Sequence, residues 1–484
     1  MPGKLSYNHT PIAPYPKPIS SFYEQTKDYL ANLPQTMLEA DTNSKSSMPN
    51  IFNVPLQGMD GVWNVKEGIK SMFVITTKAD VGGVGGHVEV SLRTQATVLD
   101  HVLRHNRYGD ENLPIFRSLI VTHTGDDVCI TGIVDGDVIK NRQVIDELLW
   151  DAFKKGEEVA YIEGLYGPGQ DLKADAFSGN IRGLGPASIT LPLPVRDMNP
   201  SQTVLLATAD KTEPGAYNYL TTGAYLNPDY NTGLLIAESS LSKGYIFEIM
   251  DLDTKAQAFE EGVAMTDSKK LEAVMEKLGK TERSILLSGP EDYYNIGALT
   301  MASSRFVIAK IYTKGNGGKP GQLGVVVSAE RLHNIKTSKG FTYGGKDDPI
   351  MLSLCQGDWP APGEITSPLV KTPLVAGDCR GSHHLNLYPM PINSQTSYWS
   401  GPIISVVTLS INIHTGRIGA ISDQLGQGTP WDTYRAQAAK KMAEFRSAQG
   451  YKQPGTLPTD EIEYQPGFNR RMAELNSRFV RKAT

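Results

Sequence analysis

The stretch "RSLIVTHTGDDVCITGIV" (residues 117–134) decides how this chain folds. Two runs rich in β-branched residues, 117–124 and 127–134, flank a Gly-Asp turn, so the stretch reads as two hairpin-linked strands. Antiparallel strands joined this way argue against a doubly wound parallel sheet. The turn also carries Asp126 and Asp127 side by side. Adjacent carboxylates repel, so a solvated turn is the ordinary expectation unless a cation compensates them.

The pattern extends on both sides. A strand is expected from Ser71 ("SMFVITTKA"), and apolar residues at helical spacing follow in "LRTQATVLDHVLRH" (92–105). A single long amphipathic helix is expected over 138–155. More strands read at 203–209, 245–250, 305–312, 323–329 and 350–355, with a buried one inside 401–414. A late helix begins with Thr429 as N-cap and Pro430 at the first helical position. Strands outnumber helices, so an α/β (α+β) fold with a mixed sheet or two stacked sheets is expected. Residues 1–70 differ: "PIAPYPKPIS" (11–20) is proline-rich, and one short helix is expected over 21–33. They read as an N-terminal arm before a single catalytic domain over 71–484.

Composition excludes several functions. The chain has 484 residues, 40% hydrophobic and 20% charged, which suits a globular protein with a sizeable core. Its net charge of -5 is spread without blocks, giving no reason to expect a nucleic-acid or membrane partner. Cys129, Cys355 and Cys379 are too few and too scattered for a disulfide framework or a zinc site. There is no signal-like N-terminus, and the first arginine is Arg93, so the cytoplasm is the expected location.

The chemistry-bearing residues fall at strand ends. Asp80 closes the first strand, and His87 follows after "VGGVGG". That glycine loop fits neither the Walker nor the dinucleotide spacing. Asp126 and Asp127 fill the hairpin turn; Asp210 and Lys211 close a later strand; Asp347 and Asp348 follow Lys346 in "YGGKDDP" (343–349). The loop 164–186 adds Gln170 among polar residues and glycines. If they converge, six aspartates, one amide and one imidazole suit hard cations, several Mg²⁺ or Mn²⁺ ions, rather than zinc. Such clusters handle phosphate esters.

In order along the chain, "KADVGGVGGH" (78–87), "HTGDD" (123–127), "GLYGPGQDLKADAFSGNIRGLGP" (164–186), "ADKTEPGAYN" (209–218), "GGKDDP" (344–349) and "RGSHH" (380–384) carry a resemblance. They resemble the bifunctional fructose-1,6-bisphosphate aldolase/phosphatases, the archaeal-type class V fructose-1,6-bisphosphatases, over roughly residues 72–465. The resemblance implies a four-layer α/β/β/α sandwich in a homo-octamer, acting on triose and sugar phosphates in gluconeogenesis. It implies metal ligands Asp80, His87, Asp126, Asp127, Gln170, Asp210, Asp347 and Asp348. Lys346 becomes the Schiff-base lysine and Tyr343 the proton donor and acceptor. Substrate contacts become His87, Tyr166, Gly179, Asn180, Lys211, Gln356, Gly357, Arg380 and Tyr464. One position departs: where the family carries an acidic residue before "GP", "YWSGP" (398–402) has Ser400. Two alternatives stay open, a fructose-1,6-bisphosphatase without the aldol step and a non-catalytic metal-binding assembly protein.

An imine-forming lysine must be neutral, whereas a free one is mostly protonated at neutral pH. In extended backbone, neighbouring side chains point to opposite sides. Lys346 and Asp347 then cannot face one point together. A two-state loop is expected, with Gly344 and Gly345 supplying the freedom to switch.

Overall fold

The computed structural model describes residues 71–110, 113–169, 172, 188–194, 201–235, 244–264, 267–278, 283–303, 305–328, 336–337, 340–341, 348–375, 385–396 and 401–448. The expected arm and its short helix lie outside the described residues.

A small sheet is built from β1 (Met72–Asp80), β2 (Ser118–Thr124), β3 (Asp127–Asp135) and β4 (Ser188–Leu193). Its order is β2-β3-β1-β4, antiparallel throughout. The larger sheet contains β5 (Ser201–Asp210), β6 (Tyr245–Asp251), β7 (Ser284–Gly289), β8 (Phe306–Lys314), β9 (Pro320–Val327), β10 (Ile350–Cys355), β11 (Tyr388–Pro389), β12 (Ile403–Asn412) and β13 (Arg417–Asp423). Its order is β11-β12-β5-β10-β9-β8-β6-β7, with β13 on β12. Only the short β11–β12 pair is parallel. The doubly wound alternative is therefore absent among the described residues.

Strand alternation explains how the small sheet is covered on both faces. One face of β1 and β3 presents Ile75, Val128, Ile130 and Val134. These pack with Val98, Leu99, Leu148 and Phe153 from helices α1 (Leu92–His105) and α2 (Arg142–Glu163). The opposite face presents Met72, Val74, Ile120, Cys129 and Ile133, in one core with Val204, Leu206, Val326, Leu352 and Val407, which share the Thr208 face of the large sheet. The other face of the large sheet presents Leu205, Ala207, Val325 and Met351 to Tyr217 and to α3 (Asn218–Leu226), whose Leu220, Ala224 and Tyr225 join the core, with Tyr225 OH on Ser353 Oγ. The result is a mixed α/β fold.

One gradient along β1 positions the site. On the face turned to the large sheet, β1 reads Met72, Val74, Thr76, Lys78, Asp80. The apolar seam between the sheets thus becomes polar and then charged toward one end. The opposite end supplies the hydrophobic anchor, since burial of apolar area dominates stability.

Several local expectations need correction. The helix expected over 138–155 is broken: a short turn covers Gly136–Ile139, and Asn141 at φ -107°, ψ 50° interrupts it before α2. α2 then runs on to Glu163, where Gly164 at φ 65° ends it in the left-handed conformation glycine favours. The late helix, α7 below, starts one residue after Pro430, with Thr429 Oγ1 accepting from Trp431 N (3.3 Å). Sequence reasoning missed β4, whose Pro192 obscures it; as an edge strand it tolerates a proline. It also missed β7, α3, α4 (Thr254–Glu260), α5 (Ser268–Leu278) and α6 (Tyr293–Thr300), which precede α7 (Trp431–Ala448). No described helix is long and apolar enough to cross a membrane. Cys129 and Cys355 are buried free thiols, and Cys379 lies outside the described residues.

Candidate metal centre and active site

The polar ends of the two sheets face each other. In the small sheet Asp80 pairs with Asp127, and Thr124 pairs with Asp127 across the hairpin, so register alone gathers Asp80, Asp126 and Asp127. In the large sheet Thr208 pairs with Ile350, and Ala209 N donates to Pro349 O (3.2 Å), which sets Asp210 beside Asp348. Thr124 and Thr208 share a hydroxyl hydrogen bond (2.6 Å) between the sheets. Two groups of donors result. Asp80, His87 and Asp126 bring ligand atoms within 4.8 Å of one another, and Asp127, Asp210 and Asp348 do the same.

Local structure holds each side chain. Asp80 Oδ1 accepts from Gly82 N (2.9 Å), and the loop beyond is tied to the α2 exit by paired Gly83–Tyr166 backbone bonds (2.9 Å each). His87 Nδ1 donates to Asp126 Oδ2 (2.8 Å), and its ring meets Tyr166 edge-on at 4.9 Å. Asp348 stands at φ 53°, fixed by Asp348 N to Thr212 O (2.8 Å) and Thr212 N to Asp348 Oδ1 (3.1 Å). At Gly125 a methyl group would overlap the Asp210 carboxylate. Glycine is needed there because two ligand-bearing loops approach that closely.

The expected solvated turn is not what forms. Asp126 is 3% exposed and Asp127 4%, and Asp210 is equally buried. Burial of charge on this scale requires compensation. Lys211 Nζ reaches Asp210 Oδ2 (2.6 Å) and Asp126 Oδ1 (3.1 Å), bridging the two groups. Lys78, entirely buried, donates to Asp127 and to Ala209 O (2.7 Å), crossing from one sheet to the other. Burial works against the Lys78 charge, but Asp127, Asp348 and Asp210 outweigh it and hold its pKa above the usual lysine range. Burial also works against the Asp126 charge, yet Lys211 and His87 keep that carboxyl well below the usual range. Asp210 goes the other way: burial, opposed by Lys211 but aided by Asp126 and Asp127, pushes it up to about 7.

The described carboxylates number five and the ammonium groups two, so ionising every acid leaves an excess of negative charge. A divalent cation in each group removes that excess. The donors are oxygen and one imidazole, without a thiolate, which fits a divalent metal. Lys78 was missed as a component of the site. Its signal is a lysine inside an otherwise buried strand, on the same face as Asp80. Lys78→Met should strand Asp127 beside a neutral side chain and destabilise the chain by about 3–5 kcal/mol. Denaturant unfolding in chelator measures this, and added Mg²⁺ should recover part of the loss.

Other expected residues are distributed differently. Tyr166 and Lys211 join the centre. Gln356 and Gly357 do not: they follow β10, whereas Asp348 precedes it, and six strand residues separate the ends by roughly 20 Å. They instead line a cavity of about 500 Å³ with Tyr245, Lys314 and Trp359. Gln170, Gly179, Asn180, Tyr343, Lys346, Asp347, Arg380, Ser400 and Tyr464 lie outside the described residues.

The chain matches the fructose-1,6-bisphosphatase family profile over residues 71–480. It is 35% identical over 405 residues to the fructose-1,6-bisphosphate aldolase/phosphatase of Thermus thermophilus, covering 83% of this chain and 98% of that protein. It is 37% identical over 409 residues to the protein of the same name from Cenarchaeum symbiosum, covering 84% and 94%. With the Ignicoccus hospitalis protein, again of that name, identity is 33%, covering 80% and 87%. With its aspartate and histidine groups in place at facing sheet ends, the chain belongs to the bifunctional fructose-1,6-bisphosphate aldolase/phosphatase family.

Proposed function

We propose that this chain is a Mg²⁺-dependent gluconeogenic enzyme with two activities in one site. It joins dihydroxyacetone phosphate to glyceraldehyde 3-phosphate, then hydrolyses the 1-phosphate of fructose 1,6-bisphosphate to give fructose 6-phosphate. The observation that carries the reading is the pair of three-residue donor groups on facing sheet ends, in a chain whose relatives bear the bifunctional name.

Asp80, His87 and Asp126 would hold one cation, and Asp127, Asp210 and Asp348 another, with Gln170 and Asp347 completing the ligand set. Bound Mg²⁺ supplies charge stabilisation of the phosphoryl group and an acidified water. The chain's own groups do the rest. Lys211 is an ammonium already inside the site, and with Arg380 it would bind phosphate oxygens. His87 and Tyr166 form one wall, where a sugar phosphate would lie. Tyr343 would move the proton on the aldol carbon centre. Lys346 comes two residues before Asp348 and would form the imine with dihydroxyacetone phosphate.

The same proposal includes the four-layer α/β/β/α arrangement, supported by helix-packed cores on the outer faces of both sheets. It includes a single catalytic domain beginning at residue 71, where the family match also begins, with residues 1–70 as an arm outside it. It includes the homo-octamer and a cytoplasmic location. Within an oligomer, Gln356, Gly357 and the cavity they line would serve a neighbouring copy's substrate, because their own carboxylates are too far away. Tyr464, Gly179 and Asn180 would complete the sugar contacts.

Ser400, in place of the family's acidic residue, favours one second reading, a phosphatase that has lost the aldol step. Lys346→Arg separates the two. Borohydride should trap dihydroxyacetone phosphate on the wild-type chain but not on the variant. Sugar bisphosphate synthesis should vanish in Lys346→Arg while phosphate release persists. A wild-type chain with no adduct and no synthesis leaves the phosphatase alone.

A further inference from the structure

The two donor groups are carried mainly by different sheets, so their spacing depends on what ties the sheets together at that end. Thr124–Thr208 and Lys78–Ala209 O are inner ties. A third comes from outside, from the Pro391–Thr396 loop between β11 and β12. Its root belongs to the large sheet: Met390 N donates to Ile404 O (2.8 Å), and Ile392 N to Asp423 Oδ2 on β13 (3.1 Å). Ser394 Oγ donates to Pro391 O (2.6 Å), which closes the loop on itself.

The tip of the loop reaches β2 at His123, three residues before Asp126, and the loop beyond β1 at Val88. His123 N donates to Asn393 Oδ1 (2.7 Å), and Asn393 N donates to His123 O (3.2 Å). Thr396 N donates to Val88 O (3.2 Å), one residue beyond His87. β2 is the edge strand of the small sheet, so Asn393 occupies the backbone edge that β3 leaves open. His123 closes the inside of the same hairpin, its Nδ1 donating to Gly125 O (2.9 Å). A carbonyl can only accept, so that ring nitrogen carries the proton. Asn393 stands at φ 55°, a left-handed conformation that asparagine tolerates and glycine adopts freely.

We propose that Asn393 is a positioning residue for the metal centre. With Thr396 it braces the His87 loop and the Asp126–Asp127 hairpin against the sheet that carries Asp210 and Asp348. This rests on the metal-centre reading above. Its force comes from sensitivity to position, since ligand displacements near 1 Å are costly at such a site.

Two variants isolate the effect. Asn393→Gly keeps the backbone conformation and removes the acceptor; Asn393→Asp keeps an acceptor of nearly the same shape. Two readouts are needed: hydrogen exchange at the His123 amide, and Mn²⁺ titration of the metal-stripped chain. Asn393→Gly should speed exchange at His123 and weaken Mn²⁺ binding about tenfold, the effect of one lost buried hydrogen bond. Asn393→Asp should keep both properties within about threefold of wild type, since the acceptor is retained. Protection of β8 amides should stay unchanged in both, which separates a local effect from unfolding. Wild-type Mn²⁺ affinity in Asn393→Gly overturns the proposal, as does Asn393→Asp behaving like Asn393→Gly. A wild-type chain that takes up no Mn²⁺ overturns the metal-centre reading; unchanged His123 exchange in Asn393→Gly then overturns the brace itself.

Discussion

Gly125→Ala should cost the chain its metal binding and lower phosphate release from fructose 1,6-bisphosphate by at least about a hundredfold, because misplacing a site by about 1 Å can do that much. The residue sits at φ 58° in the turn between β2 and β3, so alanine is strained there before any contact is considered. The added methyl would also overlap the Asp210 carboxylate. Either the hairpin or Asp210 must move, and either movement separates Asp126 and Asp127 from the large-sheet ligands. The core seam of Met72, Val74, Leu206 and Val407 lies away from this turn, so the fold should survive. Circular dichroism and a Mn²⁺ titration measure the two consequences separately. An alanine variant that binds metal like wild type would show that the hairpin and Asp210 do not share a site.

Asp126→Asn should be comparably damaging and for a different reason. The substitution keeps the shape but removes a buried negative charge that holds His87 on one side and Lys211 on the other. Lys211 is then left with Asp210 alone, and the Asp80 group loses one of its three donors. Metal stabilisation of developing charge is worth several kcal/mol. At 1.36 kcal/mol per factor of ten, phosphate release should fall by roughly a thousandfold. The proposed aldol step gives a second readout. Trapping of dihydroxyacetone phosphate at Lys346 should be affected less than phosphate release. Equal loss of both would indicate that Asp126 supports the site as a whole rather than the hydrolytic step.

The site was more legible than the path of the chain around it. Asp80, Asp126, Asp127 and Asp210 could be found because a carboxylate closing a buried strand is unusual, and strand alternation says which face it takes. Hairpin register, which the residues 117–134 already imply, joins Asp126 to Asp127; pairing of β1 with β3 adds Asp80, and packing of the two sheets adds Asp210. Lys78 was harder to see: a lysine within an apolar run looks like strand-edge noise until the opposite sheet supplies Asp210 and Ala209. The brace at Asn393 was invisible, since its partner His123 is 270 residues away in sequence and one asparagine in a polar loop carries no signal. Missed elements have similar causes. β4 carries a proline that only its edge position permits. α3, rich in tyrosine, threonine and glycine, is stabilised by Tyr225 and Leu220 packing into the shared core rather than by propensity. The break at Asn141 depends on backbone geometry that helical periodicity alone does not reveal.

We propose that cations held between the two sheet ends drive hydrolysis of fructose 1,6-bisphosphate. The most direct test is inorganic phosphate release from that sugar by the metal-stripped chain as Mg²⁺ is added back. No release is expected without metal, with saturable recovery as Mg²⁺ is added and roughly a thousandfold less release in Asp126→Asn. Release that is indifferent to chelator, or none at any Mg²⁺ concentration, would contradict it.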